Sequence, residues 1–242
     1  MTDYEIKVQR ELKEWQHKMI ASPGFFNSFS KRVQDKINKL IPERVHEAVT
    51  TAIKKMINAV LFGAQMTSAE RNSHHSLELK EAIVAEKIKF YRNTAAAEGG
   101  ITGAGGILLG LADFPLLLGI KLKMLFEIAT VYGFDVDDYK ERVYILYIFQ
   151  LAFSSHKHRR NIYLKMYDWQ QQQKKFPDSV DQFDWRVLQQ EYRDYIDLAK
   201  MAQLIPVIGA PVGIVVNYRL LKKLGATAMN AYRMRWFESS KV

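Results

Sequence analysis

The sequence contains no cysteine and little proline, and both scarcities narrow the classes of protein to which it can belong. Among the 242 residues there is no Cys, and there are only 6 Pro. Without a thiol the chain forms no disulfide, has no cysteine nucleophile and offers no Cys ligand to a metal. Because proline is rare, long segments of helical periodicity run without interruption, and this pattern predicts an all-α fold.

Signatures of common enzyme classes are also missing. The sequence has no GK[ST] phosphate loop and no G-x-S-x-G nucleophile motif, and its glycine-rich stretch follows helical sequence rather than a strand. His156 and His158 are two residues apart and would not converge on one metal from a helix, and His74 and His75 lie in a predicted loop, so we expect no metal and no cofactor. We therefore predict no catalytic residues. The N-terminal segment is charged throughout and lacks the apolar region of a signal peptide, which predicts a cytoplasmic protein.

Positive charge is in excess. The formal net charge is +9 and the sequence pI is about 9.5, which favours an anionic partner such as a lipid surface. Two basic clusters, of which the second also contains aromatic residues, are candidate membrane or anion contacts: Lys157, Arg159 and Arg160, and then Arg233, Arg235 and Trp236. The first cluster could instead be an ordinary solvated face. In the second, the aromatic rings could pack in the core while the arginines extend to solvent. We do not expect nucleic-acid binding.

Hydrophobic periodicity predicts one multi-helix domain over residues 1–242. Residues 1–66 read as amphipathic N-terminal helices, and residues 77–238 read as a core of apolar helices. Helices are expected at about 25–37, 42–60, 77–97, 101–111, 114–133, 184–204 and 209–237. The segment 157–183 is the most polar and is expected to contribute least to the core.

Two capping-box patterns mark helix starts. Thr2 is followed three residues later by Glu5, and Asp138 is followed three residues later by Glu141. In a capping box the first side chain accepts a bond from the backbone of the fourth residue, whose own side chain bonds back. We therefore expect helices to begin at both places.

Glycine is concentrated in the most apolar part of the chain. Residues 99–119 hold seven of the 13 glycines, and Gly106 and Gly110 are four residues apart. Gly209 and Gly213 repeat this spacing near the C-terminus. Since residues four apart share one helix face, both stretches are predicted to be helices that pack closely against each other. Their uncharged runs are marginal for a bilayer span, so we favour buried helices.

Asp113 and Asn217 are the polar residues that stand out in these apolar stretches. Asp113 with Pro115 two residues later is typical of a helix N-cap followed by a first-turn proline. The alternative is a buried acid facing a cavity, which Asn217 could also reach. The candidate residues lining a lipid cavity are Gly106, Gly110, Asp113, Pro115, Gly209, Gly213 and Asn217.

The ordered motifs of the C-terminal two thirds resemble the EcsC family. They comprise a glycine-rich stretch, an Asp-x-Pro, a Tyr-Gly, an Ile-Pro-x-x-Gly-Ala, an Asn and a final Tyr-Arg-x-Arg. These correspond to Gly103, Gly106, Asp113, Pro115, Tyr132, Gly133, Pro206, Gly209, Asn217, Tyr232, Arg233 and Arg235. The family takes its name from a product encoded beside an ABC-transporter pair. The resemblance therefore implies a membrane-transporter partner but carries over no catalytic residue.

Together these observations favour a non-enzymatic protein that binds a lipid, fatty acid or other acyl chain. Its basic surface would place it peripherally on the anionic inner face of a bacterial membrane. One alternative is an adaptor or accessory protein of an ABC-transporter-type complex. Another is an enzyme that acts on a lipid with Asp113.

Overall fold

The computed structural model of the protein describes residues 1–21, 43–62, 75–103, 106–195 and 210–239. These residues form a single all-α domain, and no strand occurs in them, so the predicted class is confirmed. Two 3₁₀ turns, Gln173–Lys175 and Val180–Gln182, follow the short helix Trp169–Gln172. The helices are α1 (Asp3–Ile20), α2 (Glu43–Phe62), α3 (Leu77–Gly103), α4 (Gly106–Tyr132), α5 (Tyr139–Phe153), α6 (His156–Tyr167), α7 (Trp169–Gln172), α8 (Trp185–Tyr195) and α9 (Ala210–Ser239).

The long helices α3 and α9 run antiparallel along most of their length. Near one end, Arg233 of α9 pairs with Glu81 of α3. Towards the other end, the guanidinium of Arg92 lies over the ring of Tyr218, 4.2 Å from its centroid. Residue numbers therefore rise along one helix as they fall along the other.

The third long helix, α4, completes the centre of the domain. It is antiparallel to α3, which it meets through an ion pair of 2.7 Å between Lys87 and Glu127. It is parallel to α9, where the Lys121 ammonium approaches the Asn217 side chain at 3.5 Å. As a result, the C-terminus of α3 and the N-termini of α4 and α9 lie at the same end. No helix in the described ranges has the length and apolar character needed to cross a bilayer.

Helix α5 is buried on nearly every side and lies under α2, α4, α6 and α9. The polar segment after it also contributes to the core, contrary to our expectation for residues 157–183. Tyr163 and Trp169 are fully buried, and the Trp169 ring packs 4.9 Å from that of Tyr144 in α5. The reason is that α6 turns Ile162, Tyr163 and Met166 inward, although the segment as a whole is polar.

The glycine-rich region contains fewer helix boundaries than predicted. Helix α3 continues to Gly103, and α4 includes both Asp113 and Pro115. The prediction that Asp113 is an N-cap is therefore wrong. Pro115 lies inside the helix, where it lacks the N–H that would bond to the preceding turn and its ring crowds the carbonyl four residues earlier, but the helix continues through it.

The two predicted capping boxes have different outcomes. Thr2 and Glu5 exchange both bonds, so the first box is confirmed. Asp138 caps α5 by accepting a bond from Lys140, but its own N–H donates to the backbone of Asp135. Glu141 turns into the core instead, where it meets α9.

Some predicted features lie outside the described residues. They are the helix over 25–37, most of the polar connection around 67–76, and Gly209. Helix α8 is described as far as Tyr195, within the predicted helix over 184–204. The last predicted helix is confirmed from Ala210 onward and extends to Ser239.

Candidate functional site

Both glycine-rich segments lie at one end of the three long helices. At this end α3 stops, while α4 and α9 start. We call residues 93–103, 106–120 and 210–218 the apolar end. In these three stretches the sequence has two charged residues, Glu98 and Asp113. The fold thus gathers apolar segments that are about a hundred residues apart in the chain.

Large apolar side chains are exposed at the apolar end. Leu116 on α4 is 53% exposed, and Val215 on α9 is 46% exposed. Ile214 and Tyr218 are exposed beside Val215. A patch of exposed apolar side chains on a protein surface marks a contact site for another apolar surface.

A ring of cations borders the apolar end. The side chains that we call the basic collar are Lys89, Arg92, Lys123, Arg219 and Lys222. They come from all three long helices, and the contacts of Arg92 with Tyr218 and of Lys121 with Asn217 place them at similar heights. With a rise of about 1.5 Å per residue, the collar spans roughly 6 Å along the helix axes.

A shallow groove runs between α3 and α4 from the basic collar towards the opposite end. It has a volume of about 740 Å³ and is lined by residues such as Ile83, Phe90 and Lys123. Phe90 is 63% exposed in it. At its floor the Tyr91 hydroxyl donates to Glu127 at 2.5 Å. Burial is the larger cause, and this bond the smaller cause, of a raised pKa of the Tyr91 hydroxyl.

At the boundary between the apolar end and the basic collar, Lys121 and Asn217 form a buried polar pair. Both side chains are fully shielded from solvent. The Lys121 ammonium donates to the Leu117 carbonyl at 3.1 Å and to Asn217 Oδ1 at 3.5 Å. Burial lowers the pKa of Lys121 to about 7. Asn217 Nδ2 has no hydrogen-bond partner among the described residues.

The opposite end of the long helices is held by buried ion pairs. Arg233 binds Glu81 with two bonds, from Nε at 2.7 Å and from Nη2 at 2.5 Å. Tyr4 of α1 and Tyr132 of α4 also donate to this carboxylate, at 2.8 and 3.2 Å. Burial and the bond to Glu81 raise the pKa of Tyr4 to about 12. One carboxylate therefore joins four helices.

A second buried pair lies on the same side. Arg235 pairs with Glu141, and Tyr232 donates to the same carboxylate at 2.8 Å. The Arg235 guanidinium also lies over the Phe134 ring, 3.6 Å from the centroid. Burial raises the pKa of Glu141, and the bonds from Arg235 and Tyr232 oppose that shift. This arrangement stabilises the fold and leaves no free reacting group.

The predicted contact residues therefore occupy different environments. Arg233 and Arg235 pair with buried carboxylates, and Trp236 packs against the core as a partly buried side chain. Arg160 is exposed on α6 and Arg159 is half-buried, while the side chain of Lys157 lies outside the described set.

The predicted cavity residues fall mostly at the apolar end. The backbones of Gly106, Gly110 and Asp113 lie in the first turns of α4, and Gly213 lies in the first turn of α9. Pro115 is exposed on α4. The side chain of Asp113 lies outside the described set, so its predicted encounter with Asn217 stays a prediction.

Sequence reasoning missed the residue that does meet Asn217. Lys121 is the first charge after the uncharged run 114–120, and it lies eight residues after Asp113 on a neighbouring part of the same face. A cation at that place in an otherwise apolar helix was the available signal. The sequence contains no signal that Glu81 and Glu141 are buried, because acidic residues near helix starts are ordinarily exposed.

Comparisons with known proteins agree with the motif order. The family model for the EcsC protein family matches residues 6–237. Protein EcsC of Bacillus subtilis (strain 168) is 45% identical over 236 residues, covering 97% of this chain and 97% of the relative. Protein YdbA of the same organism is 28% identical over 248 residues, covering 93% of this chain and 90% of the relative. No solved structure matches the chain.

Proposed function

The chain belongs to the EcsC family, and from the arrangement of its long helices we propose that it is a non-enzymatic lipid-binding protein of the membrane surface. It would dock peripherally on the anionic inner face of a bacterial membrane. The observation that carries this proposal is the exposed apolar end with the basic collar directly behind it.

The two parts of this surface match the two layers of a lipid leaflet. Exposed side chains such as Leu116 and Val215 gain free energy when they leave water for the acyl-chain region. Cations of the collar would then lie at the depth of the head groups. Each Lys or Arg near an anionic surface contributes about 1 kcal/mol, and salt screens this attraction.

The charges within the apolar end favour docking over deep insertion. Glu98 and Asp113 both lie in it, and an acidic side chain at the bilayer centre costs about 2.5–3.5 kcal/mol on insertion scales. Contact at the level of the head groups avoids this cost. The exposed groove beside Phe90 would supply additional apolar surface for an acyl chain.

Co-sedimentation with vesicles tests the proposal. The protein should bind phosphatidylglycerol vesicles at low salt, bind phosphatidylcholine vesicles more weakly, and dissociate as salt rises. Lys123→Gln with Lys222→Gln should weaken binding about tenfold or more, since each lost cation removes about 1 kcal/mol. Leu116→Gln should also weaken binding, through the apolar contact.

Matched variants on α6 provide the controls. Leu164 is 46% exposed, much like Leu116, but it lies on a different face, so Leu164→Gln should bind as the wild type does. Lys157→Gln with Arg160→Gln tests the other basic cluster in the same way. If vesicles do not bind at low salt, the proposed function is wrong. If only the α6 variants lose binding, the docking surface is the α6 cluster.

A further inference from the structure

Lys121 differs from the two buried arginines of α9 in the groups that its cation contacts. Arg233 and Arg235 each contact a buried carboxylate. Lys121 makes no ion pair with any described residue, and its two bonds go to neutral oxygens. A buried ammonium without a counter-charge is unfavourable, so its presence in the core calls for a physical reason.

The unused hydrogen-bonding capacity at this pair is made up of donors. An ammonium has three N–H groups, of which Lys121 uses two, and the Asn217 amide has two N–H groups without a described partner. The amide orientation follows from its contact, because the ammonium can donate only to the oxygen. A ligand that satisfies this site must therefore offer acceptor oxygens, and the cation favours a negatively charged group.

The pair also lies close to the surface that is proposed to contact lipid. Asn217 lies at the boundary between the apolar end and the basic collar. Gly213 precedes it by four residues on the same face of α9, so this face carries no side chain one turn nearer to the end of the bundle. The 3.5 Å contact between Lys121 and Asn217 is long for a hydrogen bond and can be exchanged for a ligand oxygen.

We propose that Lys121 and Asn217 form an anion-binding site for the acidic head group of an acyl-chain lipid. The group is a carboxylate or a phosphate, whose oxygens accept from the Lys121 ammonium and from Asn217 Nδ2. The acyl chain lies along the apolar end. This inference rests on the proposed function and gives it a specific ligand chemistry.

Paired ligands that differ only in the head group test the inference. Native mass spectrometry of the purified full chain would compare oleate with oleyl alcohol, and phosphatidic acid with the diacylglycerol of the same chains. We expect the acidic member of at least one pair to bind about tenfold or more tightly than its neutral partner, as one charge-assisted bond supplies. Preference within the first pair identifies a fatty acid, and preference within the second identifies a phospholipid.

Three variants connect the preference to the site. Lys121→Met removes the cation and should reduce the preference to about one, with little change for the neutral ligand. Asn217→Asp supplies an internal carboxylate for Lys121 and should also reduce the preference to about one, although the side chain keeps nearly the same volume. Lys13→Met removes an exposed cation of α1, outside the basic collar, and should leave the preference intact.

The outcomes separate this inference from the proposed function. If the wild type docks on anionic vesicles but shows no preference within either pair, or if Lys121→Met keeps the preference, the inference is overturned and the docking proposal stands. Inorganic phosphate alone should not bind. Binding of phosphate that depends on Lys121 would make the ligand a free anion and would also overturn the lipid assignment.

Discussion

Helices α3 and α9 approach each other closely at a glycine, and this contact supports a sharp stability prediction. A Cβ atom on Gly225 of α9 would lie 2.7 Å from Cδ1 and Cγ1 of Ile88 in α3, and 2.9 Å from Cγ2. Both γ carbons are crowded, so rotation of the Ile88 side chain cannot relieve both contacts. In Gly225→Ala the helices must therefore separate by several tenths of an ångström.

The size of the effect follows from two opposing contributions. Overpacking of a tight core costs about 1–3 kcal/mol, and alanine gains about 1 kcal/mol over glycine in helix propensity. We expect Gly225→Ala to lose roughly 0–2 kcal/mol of unfolding free energy. Gly119 in α4 is the matched control, because a Cβ there meets nothing within 4 Å. Gly119→Ala should therefore raise the free energy of unfolding by most of the helix-propensity difference between alanine and glycine.

Urea unfolding followed by circular dichroism would measure both variants. Gly119→Ala should be more stable than Gly225→Ala by about 1–3 kcal/mol, since the propensity gain is common to both. Adding Ile88→Ala to each variant completes the experiment, because coupling should appear with Gly225→Ala and be absent with Gly119→Ala. If both glycine variants change the free energy of unfolding by the same amount in the same direction, the close-packing argument is refuted.

Further predictions concern charge and exposure. Burial lowers the pKa of Lys121 to about 7. Above that pH the unfolded chain therefore binds more protons than the folded chain. The free energy of unfolding should rise from pH 7 to 9 by up to about 1.4 kcal/mol per pH unit. Lys121→Met should flatten this rise in urea titrations, and an unchanged slope would mean that the amine is not desolvated. Arg233→Met should cost about 3–5 kcal/mol by leaving Glu81 buried and unpaired, and adding Glu81→Gln should recover much of that loss; additive losses would contradict the pairing. Tyr218→Trp should shift its emission to the blue on phosphatidylglycerol vesicles, whereas Trp236 at the other end should not respond; the reverse result would place the docking surface at the charged end.

Several features of the site could not be predicted because they depend on distant pairs. Arg233 lies 152 residues from Glu81, and no local pattern indicates that the two will meet. The same basic and aromatic sequence suits a membrane anchor or a buried network, and the difference depends on which helix packs opposite. Lys121 was overlooked because a single cation in an apolar helix ordinarily reaches solvent, as its neighbour Lys123 does.

The sequence by itself determined the features that depend on a few adjacent residues. The all-α class followed from periodicity, the start of α1 from Thr2 and Glu5, and the last helix from its apolar spacing, because local backbone bonds and side-chain positions decide such features. The tertiary structure decided the rest. It brought the two glycine-rich segments to one end, made Gly225 the tight contact, and directed Glu141 away from its capping box. In each of these cases the free energy of packing against a distant helix exceeds a local preference of about 1 kcal/mol.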